Sequence, residues 1–184
     1  MKVITGAGRC YSSFITLLIQ KAGGDVGGIK YRWFDKIRAG MEHAKFAELN
    51  EKILNETHDL KELKEFDPGC EIVKDPRFIF TAGEWLKVRN DFEVLLLKRD
   101  TDEQYISMLD SKIRMLSLFE NPHDIGYKIN KFKELMISNN IKVLELEVPG
   151  CFDNLVTTSL TLLNNGYIKN PNQFIQNFFM LWAK

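Results

Sequence analysis

Short apolar runs alternate along the chain with longer stretches of helical period, the arrangement of an α/β domain with a mainly parallel sheet. The pattern predicts a first strand at about Lys2–Thr5, then a glycine-bearing loop, then a helix from about Ser12 to Ala22. In that helix Phe14, Ile15, Leu17, Leu18 and Ile19 leave little polar face, so most of its surface should be buried. Gly23-Gly24 closes it with the residue best suited to a left-handed cap. A second strand is expected at Glu71–Lys74 and a third at Glu93–Arg99, where Val94-Leu95-Leu96-Leu97 is the continuous apolar run of a central parallel strand.

Thr101-Asp102-Glu103-Gln104 reads as a capping box, followed by a helix whose buried stripe is Ile106, Leu109, Ile113 and Leu116. Asn121-Pro122 opens another helix, with Ile125, Ile129, Phe132 and Met136 on one face, and Asn139-Asn140 ends it. The strand Ile141–Val148 exposes Glu145 and Glu147 and belongs nearer an edge. After Pro149-Gly150 a helix is predicted from about Asp153 to Leu163, closed by Asn164-Asn165-Gly166. Asn170-Pro171 then opens a last helix with Phe174, Phe178 and Trp182 as core residues. Residues 25–68 carry two or three amphipathic stretches without a strong strand, and read as a helical cap inserted after the first helix of a single domain spanning residues 1–184.

Composition narrows the function classes. The chain has 184 residues with 25 Lys plus Arg against 25 Asp plus Glu, so a zero net charge argues against a dedicated nucleic-acid binder. The balance is uneven: residues 1–40 hold seven Lys/Arg against Asp25 and Asp35, and residues 41–71 hold four Lys against nine Asp/Glu. The basic block suits a small anion. Cys10, Cys70 and Cys151 are odd in number and lack C-x-x-C spacing, which fits a reducing compartment and argues against a zinc site. No apolar run reaches 18 residues and no basic and apolar leader precedes Val3, so a membrane span and a signal peptide are not expected and a cytoplasmic location is.

The loop Gly6-Ala7-Gly8-Arg9-Cys10-Tyr11-Ser12-Ser13 lies between a strand and a helix, where unpaired backbone N–H groups and a positive helix end favour phosphate. Gly6 and Gly8 permit tight turns, Arg9 supplies a cation, and Ser12 and Ser13 supply hydroxyls. The Walker A pattern G-x-x-x-x-G-K-S/T is met only at Gly6 and Ser13, since Tyr11 stands at the second glycine and Ser12 at the lysine. That disfavours a conventional ATPase or kinase.

The segment instead resembles the 5′-phosphosulfate loop of sulfotransferases, which in bacterial members reads like G-T-G-R-S-G-T-S; Gly6, Gly8, Arg9 and Ser13 match. Two further segments add to the resemblance. Arg99 ends an apolar strand and Ser107 follows eight residues later, as do the family's Arg and Ser that bind the donor's 3′-phosphate, and Lys74-Asp75-Pro76-Arg77 is similar to a K-D-P-R segment after a core strand. The resemblance implies a three-layer P-loop NTPase-like α/β fold and 3′-phosphoadenosine 5′-phosphosulfate as donor, with adenosine 3′,5′-bisphosphate as product. It implies transfer of a sulfuryl group to a hydroxyl or amine on a small molecule or sugar. Residues 6–13, Arg99 and Ser107 would hold the donor. The chain departs from the family at Tyr11, where the family has glycine, and in lacking the R-K-G-x-x-G-x-W-type segment that closes over the donor.

Sulfuryl transfer needs positioning, charge stabilisation and a base for the acceptor. Arg9, Ser12 and Ser13 are the candidates for stabilising the transferring group. His43, His58 and Asp75, with Glu84 as a further alternative, are the candidate bases, and Lys74 and Arg77 the candidate contacts to the acceptor. Each has a plainer reading, as a solvated helix histidine, a turn cap or a surface ion pair. Tyr31, Trp33 and Phe34 form an aromatic cluster that packs the inserted segment or lines an acceptor pocket. No metal-ligand cluster is visible. A P-loop nucleotide or nucleoside kinase and a non-catalytic nucleotide-binding module of the same fold are the competing readings.

Overall fold

The computed structural model describes residues 1–27, 40–111 and 114–182. Strands β1 (Lys2–Thr5), β2 (Ile72–Lys74), β3 (Glu93–Lys98) and β4 (Val143–Glu147) form one all-parallel sheet in the order β2-β1-β3-β4. Among the described residues eight α-helices surround it: α1 (Ser12–Lys21), α2 (Ala44–Leu54), α3 (Leu60–Lys64), α4 (Phe78–Leu86), α5 (Thr101–Ser111), α6 (Pro122–Ser138), α7 (Leu155–Asn164) and α8 (Pro171–Trp182).

Successive strand residues point to opposite faces, and each face has its own core. Val3, Val94 and Leu96 pack with Phe46, Leu49, Phe78, Trp85, Ile129 and Phe132 from α2, α4 and α6. Ile4, Leu95 and Leu97 pack on the other side with Ile15, Leu18 and Ile19 of α1, Leu162 of α7, and Phe174 and Phe178 of α8. Val94–Leu97 is fully buried, as a strand covered on both faces must be. At the edge, β4 turns Glu145 toward Lys98 and Lys133 at 3.2 and 2.7 Å, charges that discourage pairing with another strand.

The asparagine caps act as the sequence suggests. The Asn121 side chain accepts from the Asp124 N–H at 3.1 Å, and Asn170 accepts from Gln173 at 3.0 Å. Three expectations are corrected. The start of α5 is capped by Asp100, which accepts from the Glu103 N–H at 3.0 Å, and the Gln104 side chain reaches from within the helix to the glycine loop. The buried face of α5 is therefore Gln104 and Met108, while Ile106 and Leu109 are 57% and 48% exposed. Trp182 stacks on Phe178 yet stays 42% exposed. Helices α2 and α3, from the inserted segment, contribute Phe46, Leu49, Ile53 and Leu63 to the core layer that also holds α4. The cluster Tyr31, Trp33 and Phe34, Gly28 and Ile113 lie outside the described residues.

Candidate functional site

After β1 the chain turns to one face of the sheet as α1, and after β3 it turns to the other as α5. Because β1 and β3 are neighbours, their carboxyl ends diverge into a crevice, the place where open α/β sheets bind ligands. The loop 6–11 lies at that point. Gly6 passes so close to β3 that a Cβ would stand 2.5 Å from the Leu97 carbonyl oxygen and from the Cys10 Sγ. Gly8, Arg9 and Tyr11 all have positive φ, at 82°, 49° and 59°. Two side-chain-bearing residues in the left-handed region of one short loop is strain of the kind that gathers at functional sites.

The N-terminus of α1 has no side-chain cap and no acidic residue in its first turn, so its positive end faces the loop. Three residues expected at a donor site meet there. Arg9 donates through Nε to Ser107 Oγ at 3.0 Å. Arg99 donates through Nη1 to the Arg9 carbonyl at 3.2 Å, and its guanidinium lies over the Tyr11 ring, 5.2 Å from the centroid. Its other partner is Glu103, an exposed carboxylate at 3.1 Å. Tyr11 takes the left-handed backbone that a glycine would favour, and its ring turns sideways onto Phe152 and Trp182. Cys10 is fully buried, and burial pushes its thiol above the ordinary range despite the nearby Lys74 charge.

On the β2 side the loop meets a buried cation. Lys74 Nζ is 3.3 Å from Ser13 Oγ, 2.8 Å from the Gly40 carbonyl and 2.5 Å from Glu42 Oε1, with its side chain 2% exposed. Ser13 donates to the Gly40 carbonyl at 2.7 Å, so its hydroxyl is fixed toward this cluster, and Ser12 is buried beside it. Burial would raise the Glu42 carboxyl, but the charge and hydrogen bond of Lys74 overcome it and hold the group below its ordinary value.

The remaining candidates are committed elsewhere. Asp75 is fully buried, bonded by Asn50 Nδ2 at 2.7 Å and by Arg77 Nε at 2.9 Å. Burial pushes its carboxyl up, and Arg77 and Asn50 offset that only in part. Arg77 also pairs with Glu51 at 2.9 Å. Asn50 is saturated as well, accepting from Thr81 at 2.7 Å and Trp85 Nε1 at 2.8 Å, so the segment after β2 ties α2 to α4. His43 caps α2, its Nδ1 accepting from the Phe46 N–H at 3.3 Å while Nε2 donates to the Pro68 carbonyl at 3.1 Å. His58 pairs with Glu84 at 3.2 Å in the second half of α4. That helix runs away from the carboxyl edge, so both residues belong to the opposite end of the sheet.

Two residues near the loop gave no sequence signal: Glu42, an isolated acid ahead of a helix, and Gln104, which looks like a cap. Among the described residues there is no group of three or more His, Cys, Asp or Glu side chains arranged to hold a metal, and no helix is long and apolar enough to cross a membrane. No protein-family model matches the chain, and no curated protein matches it.

Proposed function

We propose that this protein is a P-loop domain of sulfotransferase type that transfers a sulfuryl group from 3′-phosphoadenosine 5′-phosphosulfate to a hydroxyl or amine of a small molecule or sugar. The observation that carries the reading is the convergence of Arg9, Arg99 and Ser107 on one uncapped glycine loop at the divergence of β1 and β3. Two guanidiniums and a helix N-terminus suit a ligand with two separated anionic groups, as this donor has. Arg99 and Ser107 would hold its 3′-phosphate, and the backbone of residues 6–13 with Arg9 its 5′-end. In the transfer, the acceptor oxygen or nitrogen bonds to sulfur as the bond from sulfur to the bridging phosphate oxygen breaks, and the acceptor's proton passes to a base. The carboxylate best suited to take it is Glu42, ionised by Lys74, partly exposed and linked through Lys74 to Ser13. Lys74 and Arg9 would then balance negative charge on the transferring and leaving oxygens.

A second reading is favoured by a specific observation. His43, His58 and Asp75 are all bonded within the fold, which suits a binding module that retains the donor site without turnover. Thermal-shift titration with adenosine 3′,5′-bisphosphate and, separately, with ATP and magnesium tests the site, because a ligand of the folded state alone must raise its stability. Stabilisation by the bisphosphate, lost in Arg99→Ala and Ser107→Ala, is expected; a larger shift with ATP and magnesium overturns the reading in favour of a kinase. Release of sulfate from the donor, with water as acceptor, separates enzyme from binding module.

A further inference from the structure

Gln104 is fully buried beneath the loop, its Nε2 donating to the Gly8 carbonyl. Its Oε1 is buried with no partner among the described residues. The space beside Gly8 is apolar: a Cβ there would stand 3.4 Å from the Met115 sulfur and 3.7 Å from the Met108 sulfur. An amide in such a place leaves one acceptor desolvated and unpaired, a cost that an unbranched apolar side chain of the same length avoids. Such a side chain would, however, leave the Gly8 carbonyl without its donor, so the choice of glutamine turns on what that bond does.

The geometry of the loop shows the effect. In a planar trans peptide the C=O and the next N–H point in opposite directions. With the Gly8 carbonyl drawn down to Gln104, the Arg9 N–H of the same peptide is aimed away from the core. The reverse orientation would stand a carbonyl oxygen, a partial negative charge, beside any anion in the crevice. Gly8, at φ 82° and without a Cβ, offers little resistance of its own to either orientation, so an external bond must choose.

We propose that Gln104 is the positioning residue that fixes the anion-binding form of the loop, by holding the Gly8 carbonyl inward. The inference rests on the donor site proposed above and adds to it a residue that touches no ligand. Glutamine acts here as a donor at a fixed depth: methionine fills the same space without the N–H, and glutamate replaces the donor with an oxygen that repels the carbonyl.

The test compares wild type with Gln104→Met by thermal denaturation and by calorimetric titration with adenosine 3′,5′-bisphosphate. The expected result is a variant that still unfolds in one cooperative transition, with affinity at least tenfold weaker. Amide NMR of the wild type reads the same point without any substitution: the Arg9 N–H resonance should move strongly downfield on addition of the bisphosphate, and far less in Gln104→Met. If wild type and Gln104→Met bind equally well, or if the Arg9 amide stays in place while wild type binds, the role of Gln104 is overturned and the donor site stands. If wild type does not bind the bisphosphate, the donor site and the role of Gln104 fall together.

Discussion

The ends of β2 and β3 both present basic residues at the same edge of the sheet, and the two regions use them differently. At β2, Lys74 is 2% exposed and its carboxylate partner is anchored beside it, while Asp75 and Arg77 lock α2 and α4 to the strand. At β3, Arg99 keeps its contact with the loop through a backbone carbonyl, and its carboxylate partner, Glu103, is 60% exposed. A ligand anion can replace an exposed carboxylate at little cost, whereas a buried pair must be dismantled. In the donor site proposed above, a phosphate would therefore displace Glu103 from Arg99, whereas Lys74 would act on a ligand only with its Glu42 pair in place.

Substitutions at the two strand ends should differ in what they cost. The largest effect is expected at Asp75: Asp75→Ala removes the partner of both Arg77 and Asn50 and should cost about 3 kcal/mol, read from urea unfolding. A loss below about 1 kcal/mol would mean that the β2 cluster is not structural. Next, Gly6→Ala forces a Cβ against the Leu97 carbonyl, which cannot yield as a side chain does, and should cost about 2 kcal/mol by the same measurement. Glu42→Gln leaves Lys74 with neutral partners only and should cost about 1.5 kcal/mol at neutral pH.

Glu42 also makes a prediction about acid. Its folded pKa is lowered, so the stability it contributes is present above its ordinary value of 4.5 and is lost as pH falls through the lowered value. Stability measured against pH should therefore converge for wild type and Glu42→Gln on the acid side and separate toward neutrality. Curves that stay parallel would contradict the assignment. The smallest effect on stability belongs to Arg99→Ala, under about 1 kcal/mol because its ion pair is exposed on the Glu103 side. The same variant should lose most of the bisphosphate affinity, a separation of stability from binding that no β2 variant should show.

What the sequence made legible was set by periodicity and caps. The run Val94–Leu97, the stripe Ile125, Ile129, Phe132 and Met136, and the asparagine caps each depend on neighbours within one turn or one strand, and all were readable. The face of α5 was not, because its orientation is decided by a bond from Gln104 to a loop nearly a hundred residues away, which turns Ile106 and Leu109 to solvent. Separation in sequence hides Glu42 as well, whose meaning comes from Lys74, 32 residues away on a different element. Arg9, Arg99 and Ser107 meet at one loop and carry local signals, a strand end and an eight-residue spacing, whereas the bonds of His43 to Pro68 and of His58 to Glu84 join residues 25 and 26 apart and leave no such signal.

The most direct test of the account is a crystal structure of the protein with adenosine 3′,5′-bisphosphate. The 3′-phosphate should be bonded to Arg99 and Ser107, with Glu103 released, and the 5′-phosphate should lie on the backbone of residues 6–13. A nucleotide bound with its phosphates away from Arg99 and the loop would contradict it.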